Sequence, residues 1–419
     1  MGRKFLQYIL KLLSKAVLWR YKPLIIGITG SVGKTSTKEA IYAVLKSKFK
    51  VRKSIKNYNN EIGIPLTILG AKRAYGKNIV GWLALVVKTA FRLMIKGKFP
   101  EILILEMGLD RPGDIRYLTS FISPTVGVVT AIGEIPVHVE FFPGPASIAR
   151  EKRILVERLP VEGRAILNFD DEVVRDMREK TKAKILTFGF GKDADLRVIN
   201  YELRVSEDGI PEGISFKVDY QGSVVPVRLN NVFGKQQVYT ALAAIAVGLS
   251  LEMHLVELSQ ALGEYVPPPG RMKLVKGIKE SWIIDDTYNA APLSAMAALE
   301  TLKELPAKRK IAVLGDMLEI GKYTVEAHQA IGEEASKIAD IIFTVGLRTK
   351  FAYDEVRVRK FPAKNIFHFN ESQEAGLPLQ KLIEPGDLIL VKGSRAMRME
   401  KIVEEVMANP KSGQYLLPS

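Results

Sequence analysis

LIIGITGSVGKT, residues 24–35, passes from an apolar run through two glycines into Lys34 and Thr35. Leu24 to Thr29 reads as a short buried strand, and the segment from Lys34 to Lys46 is compatible with a helix, leaving only a tight loop between them. Strand, glycine turn and helix in that order bring backbone N–H groups and a helix N-terminus to one point, an arrangement suited to phosphate. Lys34 would supply charge to terminal phosphates, and Thr35 a hydroxyl for Mg²⁺. The strict eight-residue phosphate loop is not met, because Ile28 stands at its first glycine and Gly27 comes one residue early. A bare GxxGKT also serves as an ordinary turn, so its surroundings have to decide.

Those surroundings repeat the rhythm. ILILEMG from Ile102 and TVGVVTAIG from Thr125 are further apolar runs that end where polar residues begin, with helical segments between or after them. This is the pattern of a mostly parallel sheet with crossover helices. Between Asp193 and Leu229 the text alternates, as in ISFKVDY and VVPVRL, and predicts antiparallel strands. Helical text resumes at Tyr239, and Pro267, Pro268, Pro269 and Gly270 then break any regular element. WIID, KIAVLGD, DIIFTVG, NIFHF and LILVKG alternate with helical segments beyond it and predict a smaller, Rossmann-like α/β sheet. The expected organisation is a basic amphipathic helix over 1–22, a central α/β domain over 23–268 built around the phosphate loop, and a second α/β domain over 269–419.

The chain has 419 residues, 47% of them hydrophobic, enough for more than one core. It has no cysteine, which excludes disulfides, thiolate metal sites and a cysteine nucleophile, and agrees with a cytoplasmic setting. A net charge of +15 favours polyanions, but no recognition motif or basic-aromatic stripe accompanies it, and specific nucleic-acid binding is not expected. The first residues are apolar but broken by Lys11 and Lys15, so they suit neither a signal peptide nor a membrane span. At 100° per residue Lys4, Gln7, Lys11, Ser14 and Lys15 share a face, predicting a basic amphipathic helix that either lies on an anionic membrane or packs on the body of the protein. Ile79 to Ile95, interrupted by Lys88 and Arg92, reads as a buried or interfacial helix.

ITGSVGKTSTKE, followed by NYNNEIGIPLTIL from Asn57 to Leu69, resembles the Mur ligases, most nearly those adding D-alanyl-D-alanine, whose nucleotide loop has this shortened form. The resemblance continues through LEMG, GLDRPGDIRYL, TAIGEIPVHVEFFPGPASIAREK, the PGR of Gly270 and Arg271, IIDDTYNAAPLS, Gly315 to Glu319, His328, and Lys392 to Arg395. It implies an ADP-forming amide ligase that uses ATP to activate a carboxylate as an acyl phosphate, which an amine then attacks. Gly30, Ser31, Val32, Gly33, Lys34, Thr35 and Ser36 would hold the phosphates with Arg271, while Asp286 would lie near the ribose. Thr35 and Glu106 would bind Mg²⁺. His138 would join a second metal site, with Lys152 carbamylated into an anionic ligand, so that Lys34, His138 and Lys152 carry the catalysis.

Two departures accompany the match. Where the family has an H-N-x-x-N pattern near adenine, this chain has Gln236, Gln237 and Thr240; the amide of Gln237 still offers a base both a donor and an acceptor. The phosphate-loop strand begins near Leu24, so the family's N-terminal domain, which grips the uridine nucleotide, is expected to be missing. The acceptor would then be a small-molecule or lipid-linked cell-wall precursor and the amine an amino acid or dipeptide. A ligase of pseudomurein or of an amino-acid polymer, and a non-catalytic nucleotide-gated scaffold at a membrane, are the alternatives.

Overall fold

The structure, a computed structural model of the chain, describes residues 2–55, 58–71, 75–76, 78–95, 97–207 and 209–410; Asn57, which opens one of the quoted segments, lies outside them. A helix α1 (Arg3–Tyr21) precedes β1 (Leu24–Thr29), the loop, and α2 (Lys34–Leu45). Then come β2 (Val51–Lys53), α3 (Gly63–Leu69), α4 (Ile79–Met94), β3 (Ile102–Glu106), α5 (Asp114–Thr119), β4 (Val126–Val129), α6 (Pro145–Glu157), β5 (Arg164–Asn168), α7 (Glu172–Arg175) and β6 (Lys184–Gly189). The long strands β7 (Leu196–Val205), β8 (Pro211–Tyr220) and β9 (Ser223–Asn230) lead into α8 (Lys235–Ser250) and α9 (Leu255–Leu262). These strands form one sheet of order β2-β3-β1-β4-β5-β6-β7-β8-β9, parallel from β2 to β7 and antiparallel across β7, β8 and β9.

Strands buried on both faces read as near-continuous apolar runs, and those around the loop do so up to their last residues, Thr29 of β1 and Glu106 of β3. Ile26 and Ile28 of β1 join Ile102 and Ile104 of β3 in the core under α2 and α8, while Ile25, Leu103 and Leu105 enter the opposite core with Ile148 and Leu155 of α6. The two-residue period of the strands thus feeds two helix layers. Gly27 pairs in register with Gly127, and a Cβ at Gly27 would meet Leu155 at 2.9 Å, so the missing side chain lets α6 lie close to the sheet.

After the proline run, β10 (Lys273–Lys276), β11 (Trp282–Asp286), α10 (Pro292–Glu304), β12 (Arg309–Gly315), α11 (Thr324–Ile338), β13 (Ile341–Val345), α12 (Lys350–Val358), β14 (Ile366–Phe369), α13 (Ser372–Leu382), β15 (Asp387–Lys392) and α14 (Glu400–Val406) form the second unit. Its sheet runs β10-β11-β15-β12-β13-β14, parallel except for the β10-β11 edge. The α/β class, the parallel sheet with its antiparallel portion and the smaller second sheet are those the sequence predicts.

The N-terminal helix departs from the face its lysines suggested. α1 packs on the body through Leu10, Ser14 and Val17, while Gln7 donates to Glu61 at 2.9 Å and Lys11 to the Ser120 hydroxyl at 2.8 Å. The side turned outward carries Lys4, Phe5, Tyr8, Leu12, Lys15 and Trp19.

A candidate nucleotide and metal site between the two sheets

The loop's shape follows from Gly30. Its φ is +145°, and a Cβ there would sit 2.0 Å from the Thr130 hydroxyl oxygen. Thr130 in turn donates to the Val32 carbonyl at 2.6 Å, and the N–H groups of Ser31 and Val32 both donate to the Ala131 carbonyl, at 2.6 and 3.1 Å. The loop is therefore strapped to the end of β4. Those two N–H groups are already partnered, so the donors left for an anion are the N–H groups of the first turn of α2, which have no intrahelical acceptor. Lys34 reaches back over the loop to the Gly30 and Ser31 carbonyls, at 2.8 and 3.3 Å. Burial pulls its ammonium below the ordinary value, Glu106 opposes this, and Arg271 adds to it.

Glu106 ends β3 beside the loop, the place where open α/β sheets collect their ligands. Its Oε1 accepts from the Thr35 hydroxyl at 3.2 Å and from the Asn59 amide at 3.3 Å. Its Oε2 is buried with no hydrogen-bond partner, and the nearest cation is the Lys38 ammonium at 3.5 Å. An orphaned carboxylate oxygen next to a hydroxyl suits Mg²⁺, which takes one or two protein oxygens and fills its remaining positions with water and phosphate. Among the described residues no three acidic or histidine side chains cluster as a ready-made metal cage. Thr35 and Glu106 fit an ion that arrives with the nucleotide.

Lys152, on α6, is buried and donates to the Gly30 carbonyl at 2.7 Å, the same oxygen that Lys34 contacts. Burial first and Lys34 second hold its ammonium well below the usual lysine range. A neutral amine carries the lone pair that carbamate formation needs. His138 is in left-handed backbone geometry, and its Nδ1 lies 2.7 Å from the Glu319 carboxylate of the second unit. It thus links the two sheets, rather than contacting Glu106 or Lys152.

Arg271 crosses from the second unit to the loop. Its Nη2 is 3.4 Å from the Thr35 hydroxyl, its guanidinium lies 3.9 Å from the centre of the Tyr288 ring, and its buried Nε has no hydrogen-bond partner. Gly270, at φ +68°, donates to Asp285, and Met272 N–H donates to Asp286 at 3.2 Å, so the backbone on either side of Arg271 is anchored to the end of β11. Asp286 is also paired with Lys392. Ser31, Gly33, Ser36, Gln237, Arg271 and Asp286 all line one cleft between the sheets, with Val32 and Gln236 beside them. The Gln237 amide is held by the Tyr265 hydroxyl at 3.0 Å and reaches the Arg271 carbonyl at 3.4 Å.

Sequence reasoning quoted the segments that hold Lys38, Asn59, Thr130 and Glu319 but gave none of the four a role. Lys38 is fully buried between Glu39 and Glu106. The signal available was its place one turn after Lys34 on a helix otherwise rich in small and apolar residues.

A phosphate loop, a carboxylate at the neighbouring strand end and an arginine from a second α/β unit, all meeting in one cleft, define a nucleotide-dependent ligase of two-domain type. The chain belongs to the Mur ligase family: the Mur ligase middle domain matches residues 28–81 and 84–248, and the domain described as "Mur ligase, glutamate ligase domain" matches residues 270–395. It is 31% identical over 406 residues to the UDP-N-acetylmuramoyl-tripeptide--D-alanyl-D-alanine ligase of Bacillus subtilis, covering 96% of this chain and 80% of that one. Among solved structures, MurF from Acinetobacter baumannii superposes with a TM-score of 0.79 at 25% identity, covering 96% of this chain and 81% of that one. MurF from Thermotoga maritima in complex with ADP gives 0.77 at 26% identity, covering 95% and 83%.

Proposed function

We propose that this chain is an ATP-dependent, ADP-forming ligase that joins D-alanyl-D-alanine to the peptide carboxylate of a UDP-muramoyl-tripeptide. The observation that carries the reading is the meeting of Thr35 and Arg271, 3.4 Å apart across the two sheets, over the loop that also holds Lys34. The substrate carboxylate takes the γ-phosphoryl group of ATP and ADP leaves. The dipeptide amine then attacks the acyl carbon, a C–N bond forms, the C–O bond to phosphate breaks, and the amine releases a proton. Mg²⁺ held by Thr35 and Glu106 would neutralise charge on the phosphates when bound. Lys34, the first-turn N–H groups of α2 and Arg271 oppose the charge that builds on the transferring group. Closing the cleft brings carboxylate, phosphoryl group and amine together and excludes water.

Lys152 as a neutral amine would add to CO₂ with loss of a proton, and the resulting carbamate, with His138, would supply oxygen and nitrogen ligands to a second ion. Gln237 and Asp286 would flank the nucleoside. A nucleotide-linked precursor sets the reaction in the cytoplasm, and the outward side of α1 suits peripheral contact with a membrane. The test is ADP and phosphate release with Mg²⁺-ATP and UDP-muramoyl-tripeptide, with and without D-alanyl-D-alanine, with the product weighed by mass spectrometry. Dipeptide-dependent turnover to the pentapeptide supports the proposal. ATP binding without turnover for this pair overturns the substrate assignment.

A further inference from the structure

Helix α4 presents an outer face with no polar side chain along its centre. Ile79, Val80, Leu83, Val87, Phe91 and Met94 are each between 61 and 81% exposed. At 100° per residue they fall within one arc, with Lys88 at its margin, while Trp82, Leu85, Thr89 and Leu93 point into the protein. Helix α1 lies against α4. Its outward side adds Phe5, Tyr8, Leu12 and Trp19, with Lys4 and Lys15 among them. The two helices are joined by the Tyr21 hydroxyl, which donates to the Arg92 carbonyl at 2.8 Å, and the Tyr21 ring stacks on Phe99 in the stretch that follows α4.

The charge in the two segments that build this face is one-sided. In sequence, residues 1–22 contain six Lys and Arg and residues 71–100 contain seven, with no Asp or Glu in either segment; Lys72, Arg73, Lys77 and Lys96 lie outside the described residues. The whole chain carries a net +15, so these two segments account for nearly all of it. Lys22, Lys88 and Lys98 are exposed along with Lys4 and Lys15. An apolar strip with aromatic residues and a cationic border matches the boundary between acyl chains and anionic headgroups. A second copy of the chain would bring two such cationic borders together, and a nucleic acid would find its phosphates facing an apolar centre.

We infer that the α1–α4 face is a monotopic membrane platform, docking on a bilayer of anionic lipid with the apolar strip of α4 set into the headgroup layer. This extends the peripheral contact proposed for α1 and is independent of the ligase chemistry. Among the described residues no helix is long and apolar enough to cross a membrane. At 16 residues α4 is about 24 Å long, shorter than the ~30 Å hydrocarbon core, which suits lying in the interface. The platform is seated next to the site: Arg3 and Gln7 both donate to Glu61, at 2.7 and 2.9 Å, and Asn59, two residues earlier, donates to Glu106.

The experiment is co-sedimentation of the full chain, without substrates, with vesicles of phosphatidylcholine alone or with one-third phosphatidylglycerol, alongside its mass in solution by light scattering. Binding at least tenfold tighter to the anionic vesicles, and at least tenfold weaker for a Leu83→Glu, Phe91→Glu variant with an unchanged melting temperature, supports the platform. Equal binding to both vesicles, or equal binding by wild type and variant, overturns it. A dimer that ignores vesicles and becomes a monomer in the variant also overturns it, by making the face an interface between copies. Because no outcome depends on turnover with a particular substrate, failure here leaves the ligase assignment standing.

Discussion

Lys34 and Lys152 share one acceptor, the Gly30 carbonyl, and burial first and the Lys34 charge second hold the Lys152 ammonium well below the usual lysine range. In the ligase reading only Lys34 faces transferring phosphate, so Lys34→Met should lower kcat/KM by about a thousandfold or more, about 4 kcal/mol of transition-state stabilisation. ADP release with ATP varied from well below KM to saturation would measure it, and a loss smaller than tenfold would remove Lys34 from the chemistry. His328 offers a pH test away from the cleft. It is fully buried, its Nε2 accepts from Met317 N–H at 3.0 Å, and its Nδ1 lies 2.6 Å from the Thr324 carbonyl. That pattern requires the neutral ring, and burial holds its pKa below the ordinary 6.5, against the opposing pull of the Thr324 carbonyl. As pH falls through 6.5 the unfolded chain gains a proton that the folded one refuses. Stability is then lost at about 1.4 kcal/mol per pH unit until the folded value is reached. Denaturant melts from pH 7.5 to 5 should show this slope in the wild type and a reduced one in His328→Gln; parallel curves would contradict it.

At the scale of the element, the loop between β1 and α2 is set by two glycines with different reasons for being glycine. Gly30 has no room for a Cβ, with Thr130 Oγ1 2.0 Å and the Ala131 carbonyl 3.1 Å from its place, whereas Gly33, at φ +88°, has nothing nearer than 3.8 Å. Gly30→Ala should therefore destabilise by about 2–4 kcal/mol and raise the KM for ATP, while Gly33→Ala meets only the backbone penalty of about 1–2 kcal/mol. Thermal melts that place the two variants in the reverse order would refute the packing argument.

The elements themselves were legible because β1, β3 and β4 are buried on both sides and so read as unbroken apolar runs, and because β8 and β9 alternate. The orientation of α1 was not. Its lysines mark one face by helical geometry, but the structure divides that face: Gln7, Lys11 and Ser14 turn toward the body, Gln7 to Glu61 and Lys11 to Ser120, while Lys4 and Lys15 stay outward, a division that only the tertiary structure supplies. The loop and Glu106 stood out because glycines, lysine and a strand-end acid sit close in sequence to their elements. The link between His138 and Glu319 joins side chains from different sheets and has no local pattern to reveal it.

For the whole molecule, what matters is how firmly the second sheet closes on the first. The cleft is bridged near its base by Arg271 and Thr35, at its rim by His138 and Glu319, and on its far side by Lys235 of α8, which meets Glu300 at 2.6 Å and Glu304 at 3.8 Å on α10. Tyr201 of β7 donates to Glu304 at 3.0 Å in the same group. The lysine bridge is exposed, and pairs of that kind contribute at most about 1 kcal/mol and weaken in salt. In the ligase reading the cleft opens to exchange substrates and closes to exclude water, and this exposed charge contact is one weak contribution to closure beside the buried apolar cluster that joins Val139, Phe142 and Phe233 with Leu299, Met317 and Ile320. Lys235→Glu would set a third carboxylate against Glu300 and Glu304 and turn a weak attraction into a weak repulsion. The expected result is a larger radius of gyration in solution scattering without nucleotide, a three- to tenfold lower kcat, and melting of the individual sheets unchanged, since Lys235 touches neither core. High salt should narrow the gap between the variant and the wild type, because it screens both the attraction and the repulsion. If the radius and kcat of Lys235→Glu match the wild type at low salt, the charged contact does not set the closure, and the closed form would have to be held by other contacts between the units, such as Arg271 with Thr35 and His138 with Glu319.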